Sequence, residues 1–357
     1  MRTAYLAVIA VTALLALLSC DQQAEHAGLF PVRVSGKWGY IDKSGAMVID
    51  TLFDEARDFS DGLALVRKGG KYDYIDVTGK LVTDLQFENC YYSDFTDGLA
   101  AVIVSVSDSL HQSQTCGYID KTGSLAIDTV FLYGHPFTEG YAAVLVDQSL
   151  WRWGYIDKTG RFVIAAQFSG AESFSEGLAA VLVGGWSDGR YGFIDKTGRL
   201  VINPQFSQVG DFSEGFAPVC VAVGDSFKWG FVGKTGKLVI DPQFGYAFPF
   251  SEGLAAVIVG DYNTGKGGFI DKTGKLVVSP QFDFYGNVPG PYSEGLAAVM
   301  VGGLWGYIDQ AGRYVVNPQF LEAQPFSGGL ARVCTDWSGP TLGYIDKTGK
   351  YVWTPTK

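Results

Sequence analysis

The sequence predicts an all-β tandem array: nine three-stranded antiparallel β-meander units stacked into an open superhelix, with a propeller-like closed ring as the alternative. Two phrases and a composition predict it. The phrase Gly-Tyr-Ile-Asp, or a close variant, begins at Gly39, Asp73, Gly117, Gly154, Gly192, Gly230, Gly268, Gly306 and Gly343. The phrase Gly-Leu-Ala-Ala-Val recurs in step with it from Gly28 to Gly329, its first copy degenerate (Gly28-Leu29-Phe30-Pro31-Val32). The 357 residues include 47 Gly, 24 Phe and 19 Tyr, the mixture that short strands joined by tight turns produce. Self-similarity at a period of about 38 residues marks units that cannot bury their faces alone.

Each element of a unit follows from local chemistry. In Leu178-Ala179-Ala180-Val181-Leu182-Val183 both alternating faces are apolar, so this strand is covered on both sides, and the Ala pair admits a close neighbouring layer. A second strand spans residues 191–195 and a third 200–203. Between them, Asp195-Lys196-Thr197-Gly198 suits a type I turn closed by a left-handed glycine, with the Asp side chain accepting backbone N–H groups. Eight units carry this Asp, Gly233 standing in the ninth. A cation site is disfavoured, since one carboxylate per turn falls short of the about six to eight oxygens that calcium takes. The Gly after Trp38, Trp153, Trp229 and Trp305 leaves room for backbone to cross it. Pro204-Gln205-Phe206 ends the third strand. Apolar residues then recur every third position (Phe206, Val209, Phe212), a spacing that predicts a helical turn or loop of core residues. Nine units, three visible strands each and no strand reserved to close a ring favour the open stack.

The consensus W-G-Y-I-D-K-T-G-K-L-V-I-x-P-Q-F-x-x-A-x-x-F-S-E-G-L-A-A-V resembles the WG-repeat family of bacterial repeat proteins over residues 28–354. Cys116, Tyr191, Gly267 and Leu342 replace its Trp. The resemblance implies a binding or scaffolding role and brings no catalytic residues.

Ahead of the array, Arg2 and the apolar run Ala4–Leu18 read as a secretory leader, residues 1–19. Leu17-Leu18-Ser19-Cys20 resembles the lipobox of bacterial lipoproteins, which makes Cys20 the lipid attachment site and residues 20–27 a lipidated tether to the array at 28–357. The expected address is the cell envelope, outside the cytoplasm, on either membrane. A net charge of −10 with no basic stripe excludes nucleic acid as a partner.

Length variation collects in one hairpin: 23 residues separate Gly-Tyr-Ile-Asp from the next Gly-Leu-Ala-Ala-Val in six of eight cases, whereas the return interval ranges from 11 to 19. Binding residues favour such loops. Trp151, Trp186, Tyr262 and Trp337 are therefore the candidate binding residues, for stacking on a sugar or a peptide, or else caps folded back on the sheets. The polar loop 105–115 is expected to be mobile. Histidines stand only at 26, 111 and 135, outside any nucleophile, base or metal pattern, so no catalytic residue, metal or cofactor is expected. Cys220 and Cys334 share one core position, while Cys90 and Cys116, in adjacent units, form a candidate disulfide. The expected function is that of a non-catalytic, envelope-anchored monomer binding a protein partner. A carbohydrate or cell-wall module is the alternative, and a hydrolase the remotest.

Overall fold

The structure is a computed structural model that describes residues 28–83, 90–107, 112–147, 151–185, 187–224, 226–283, 290–336 and 342–354; the leader, Cys20 and the tether lie outside them. Its nine small antiparallel sheets are arranged in a ring, a nine-bladed β-propeller. Blades 1 to 9 span 29–53, 55–75, 90–131, 133–168, 170–206, 208–244, 246–282, 296–320 and 322–353.

Blade 5 shows how the sequence builds one sheet. Leu178–Val183 pairs with Arg190–Asp195 from Leu178↔Asp195 to Val183↔Arg190. Its residues from Leu178 to Leu182 are all buried. At the turn, Gly198 (φ 83°) donates its N–H to the Asp195 carbonyl at 2.9 Å, and Asp195 Oδ1 accepts from Thr197 N and Oγ1. The third strand, Leu200–Phe206, bulges across Gly192, where a Cβ would stand 2.5 Å from the Ile202 carbonyl oxygen. The glycine of the Trp-Gly pair is thus required for close backbone passage.

Two expectations need correction. The units are not three-stranded meanders: blades 3 to 7 and blade 9 have a fourth, short strand such as Gly170–Ala171, paired to Leu182 and Val181. Blades 1, 2 and 8 show three strands among the described residues. The three-residue apolar spacing is therefore no helical turn. Phe206 ends one extended piece, Ser207 bends, and Val209 lies in the next short strand, Gln208–Val209. The bend shifts the alternation by one residue. Pro204 fits because its strand is a sheet edge, where no ladder partner needs its missing N–H.

The open superhelix is also replaced. Among the described residues there are nine buried clusters, one at each joint between neighbouring blades. Ala179 and Val181 face blade 4, with Tyr155 and Ile164. Leu178 and Ala180 face blade 6, with Ala217 and Val219. The ninth cluster joins the ends: Phe30, Val32 and Ile41 of blade 1 pack on Leu330 and Tyr344 of blade 9. Tyr344 Oη donates to the Pro31 carbonyl at 3.0 Å, and a Cβ on Gly45 would lie 2.5 Å from the Val352 carbonyl oxygen. No reserved terminal strand is needed, because packing of side chains closes the ring.

The two rims are chemically distinct. The variable hairpins project from one, here the loop face. The Asp-x-x-Gly turns and the Ser-Glu-Gly turns share the other, the turn face, as the Leu178↔Asp195 register requires. On the turn face, Glu139 (φ 52°) accepts the Gly177 N–H of the next blade and pairs with Lys196 Nζ at 3.0 Å. Equivalent links run from Asp61 to Gly98, Asp97 to Gly140, Glu176 to Gly215, Glu214 to Gly253, Glu252 to Gly295 and Glu294 to Gly329.

Candidate functional site

The loop face is built where the Leu-Ala-Ala-Val strand outruns its blade. In blades 1, 2 and 8 the hairpin closes in two residues (Ser35-Gly36, Gly69-Gly70, Gly302-Gly303), all with positive φ. In blade 3 the strands Leu99–Ser107 and Gln112–Asp120 extend into a ribbon, paired out to Ser107↔Gln112. Most of the segment expected to be a mobile loop is therefore strand; residues 108–111 lie outside the described residues.

The predicted aromatics do not converge. Trp151 (φ 48°) is half-buried and packs on the core between blades 4 and 5, a cap rather than an open platform. Trp186 and Trp337 lie outside the described residues. Tyr262 is 44% exposed and its ring is 5.7 Å from Tyr246, which stands 4.4 Å from Trp229 and 4.7 Å from Phe248. On the same face of blades 4 to 8 the strand ends expose Val146, Val183, Val259 and Val301, and Phe227 is 62% exposed. Sequence reasoning missed Phe227 and these valines. Val183, Val259 and Val301 stand beyond the last buried residue of their strands, a difference that burial shows and residue type does not.

A polar region follows several of the short strands. Arg332 of blade 9 approaches Asp58 of blade 2 to 4.0 Å, passing blade 1 altogether. Blades two apart can meet only near the axis, so the short-strand edges line the centre of the ring. Arg57 also reaches Asp94 of blade 3 at 3.4 Å. Burial pushes the Asp94 carboxyl above the usual carboxylate range, with Arg57 opposing. Burial likewise raises Glu172 and lowers His135 to about 4, so this imidazole is neutral at pH 7. The His135 ring lies 5.2 Å from Trp153 and 5.6 Å from Tyr133. A cleft of about 240 Å³ opens between blades 9 and 1, lined by Trp38, Glu322, Gln324, Arg332, Val333, Cys334 and Leu342. Among the described residues no group of three or more His, Cys, Asp or Glu is placed to hold a metal ion.

The Cys90–Cys116 disulfide is not formed. Cys116 is a buried free thiol, which burial pushes up to about 12. Cys90 pairs with Val104 and Cys116 with Ile103, so the two flank one strand within the same blade rather than meeting between units. Two strand spacings amount to about 9.6 Å, beyond the about 7 Å that a disulfide spans between Cα atoms. The side chain of Cys90 lies outside what the structure describes.

Nine sheets closed by packing, with a constant turn face and a variable loop face, define the class: a tandem-repeat β-propeller. The chain matches the WG containing repeat family over residues 38–72, 74–104, 117–149, 153–185, 191–222, 229–262, 268–305 and 305–336, and belongs to it. No curated protein sequence matches the chain. Among solved structures it is similar to one titled as the eukaryotic initiation factor (13% identity, 92% of this chain and 95% of that one, TM-score 0.64). It is also similar to Porphyromonas gingivalis dipeptidyl peptidase 4 (12% identity, 84% of this chain and 59% of that one, TM-score 0.55). At such identities the likeness concerns the fold alone.

Proposed function

We propose that this protein is an envelope-anchored, non-catalytic scaffold that holds a protein partner on the loop face of its ring. The lipobox-like Leu17-Leu18-Ser19-Cys20 supports export and lipidation at Cys20. The observation that carries the binding role is the set of Val146, Val183, Val259 and Val301 with Phe227 and Tyr262, apolar side chains left outside the core on one face of blades 4 to 8. The hairpins carry both signs of charge beside them (Asp147 and Arg152, Asp188 and Arg190, Asp261 and Lys266), so a partner with apolar contacts and a mixed polar rim fits best. The ring itself acts as a monomer. Cross-linking and pull-down from envelope extracts with the intact lipoprotein tests this reading. Phe227→Ser with Tyr262→Ser is expected to lose the captured partner while the fold persists; undiminished capture refutes the loop face as the site. Labelling with radioactive palmitate, lost in Cys20→Ser, tests the anchor.

A second reading rests on Tyr262, 44% exposed and backed by the Tyr246 ring at 5.7 Å, since an exposed tyrosine ring can pack on a sugar face. A glycan array run in parallel decides: binding that Tyr262→Ala abolishes would replace the protein partner with a carbohydrate.

A further inference from the structure

We infer that Asp21 and Gln22 form the inner strand of blade 1, which brings Cys20 to the loop face of the ring. Blade 1 has no inner strand among the described residues, whereas blade 2 begins with Glu55–Ala56 and blade 5 with Gly170–Ala171. In both, the pair stands seven and six residues ahead of the repeat glycine, Gly62 or Gly177. Counted back from Gly28, the same places are Asp21 and Gln22.

The seam is shaped for such a strand. Ala171 packs on Leu145 and Trp153 of the preceding blade, and Ala247 on Cys220 and Trp229. The matching residues of blade 9, Cys334 and Leu342, instead line the cleft between blades 9 and 1. Leu342 is smaller than the Trp of those blades, which leaves room for Gln22 where they have Ala. The charges fit as well. Blade 2, whose hairpin also closes in two residues, sets Glu55 opposite Arg67, and the two side chains meet at 2.6 Å. The same register sets Asp21 opposite Arg33, a cross-strand ion pair of the same kind. One place earlier in blade 2, Asp54 Oδ2 accepts the N–H of Gly69 in the hairpin at 2.7 Å. Cys20 takes that place in blade 1, next to Ser35 and Gly36, with six strand residues, about 20 Å, between it and the turn face. The pairing itself needs no lipid. Joined to the proposed anchor, on which this consequence rests, it puts the lipid on the loop face, so the partner of that face meets the ring at the membrane.

Disulfide trapping in the mature chain tests the inference, with the leader omitted so that the Cys20 thiol is unmodified and with Cys90→Ser to remove a competing thiol. Ser35→Cys on the loop face is expected to cross-link to Cys20 about tenfold faster than Ser44→Cys on the turn face, since a disulfide spans no more than about 7 Å between Cα atoms. An unpaired tether of eight residues extends to about 28 Å and reaches both. Equal rates, a faster reaction at Ser44→Cys, or no cross-link at either would overturn the inference. Asp21→Arg should lower the Ser35→Cys rate about fivefold, and Asp21→Arg with Arg33→Asp should restore it. An unchanged rate in the first, or no recovery in the second, would overturn the register. Circular dichroism melting confirms that each variant folds. Lipid labelling at Cys20 reads the anchor separately, so failure of one reading leaves the other measurable.

Discussion

Replacing Phe30 with Ala tests ring closure directly. Phe30 is 4% exposed and its ring packs edge-on against Tyr344 at 5.5 Å, although the two residues stand at opposite ends of the array. In the other blades a Phe or Tyr just before the Ser-Glu-Gly turn fills this space, as Phe174 does against Tyr155 at 4.9 Å. Blade 1 uses Phe30 instead, where other units have a small Ala such as Ala179. Truncating a buried Phe costs about 3–5 kcal/mol, from lost transfer energy and the cavity left behind. Tyr344→Phe removes the hydrogen bond to Pro31 O and strands a buried carbonyl, for about 1–2 kcal/mol. Tyr155→Phe, which loses the matching 2.8 Å bond to Glu172 O inside the array, serves as the reference. Urea unfolding, followed by tryptophan fluorescence and circular dichroism, reads all three. A closed ring requires Tyr344→Phe and Tyr155→Phe to cost about the same, and Phe30→Ala to cost more than either. In an open stack Phe30 and Tyr344 would sit at solvent-facing ends. Near-zero effects at both, with a normal effect at Tyr155, would refute closure.

Three further outcomes are expected. Gly154→Ala would place a Cβ 2.7 Å from Ala166 N and Ile164 O, so it should destabilise by about 1–3 kcal/mol, measured by the same unfolding curves; a neutral result would mean that the outer strand yields easily. The folded pKa of His135 lies near 4, below its unfolded value, so its share of stability is full above about pH 6.5 and is lost as pH falls through 4. His135→Gln should flatten the stability profile across that window; the turn aspartates, held low by their turn hydrogen bonds (Asp195 to about 2), act only below it. Thiol titration of the denatured protein should give equal counts with and without reductant. In the native state Cys116 and Cys220, pushed up to about 12 and about 11, should react slowly with iodoacetamide.

Much of the fold was legible because each unit repeats the same local chemistry. The turn at Asp195–Gly198, the doubly covered strand at Leu178–Val183 and the glycine beside Trp153 all follow from residue type and spacing. Ring closure was hidden because it depends on the small rotation per unit, which side-chain volumes at the joints set jointly. Its one local sign was the degenerate first phrase, whose Phe30 fills the seam. The fourth strand was obscured by the bend at Ser207, which breaks strict alternation. Of the candidate site, Tyr262 was found through its place outside the repeat pattern. Phe227 and the terminal valines were missed because they look like ordinary strand residues until their exposure is known.

The carboxylate links of the turn face also determine how the ring yields to load. Among the described residues seven joints carry one and the two flanking blade 1 show none; in sequence, Gly328 stands at the place of Glu294, Ala27 at the same place of the first unit, and Val77 replaces the lysine of blade 2. Blade 1 is also where the chain leaves toward Cys20. A pull applied through an anchor at Cys20 would therefore fall on a module held by packing and tyrosine hydrogen bonds without these carboxylate links, whose detachment would open the circle at a fixed position while the eight other blades stay clasped.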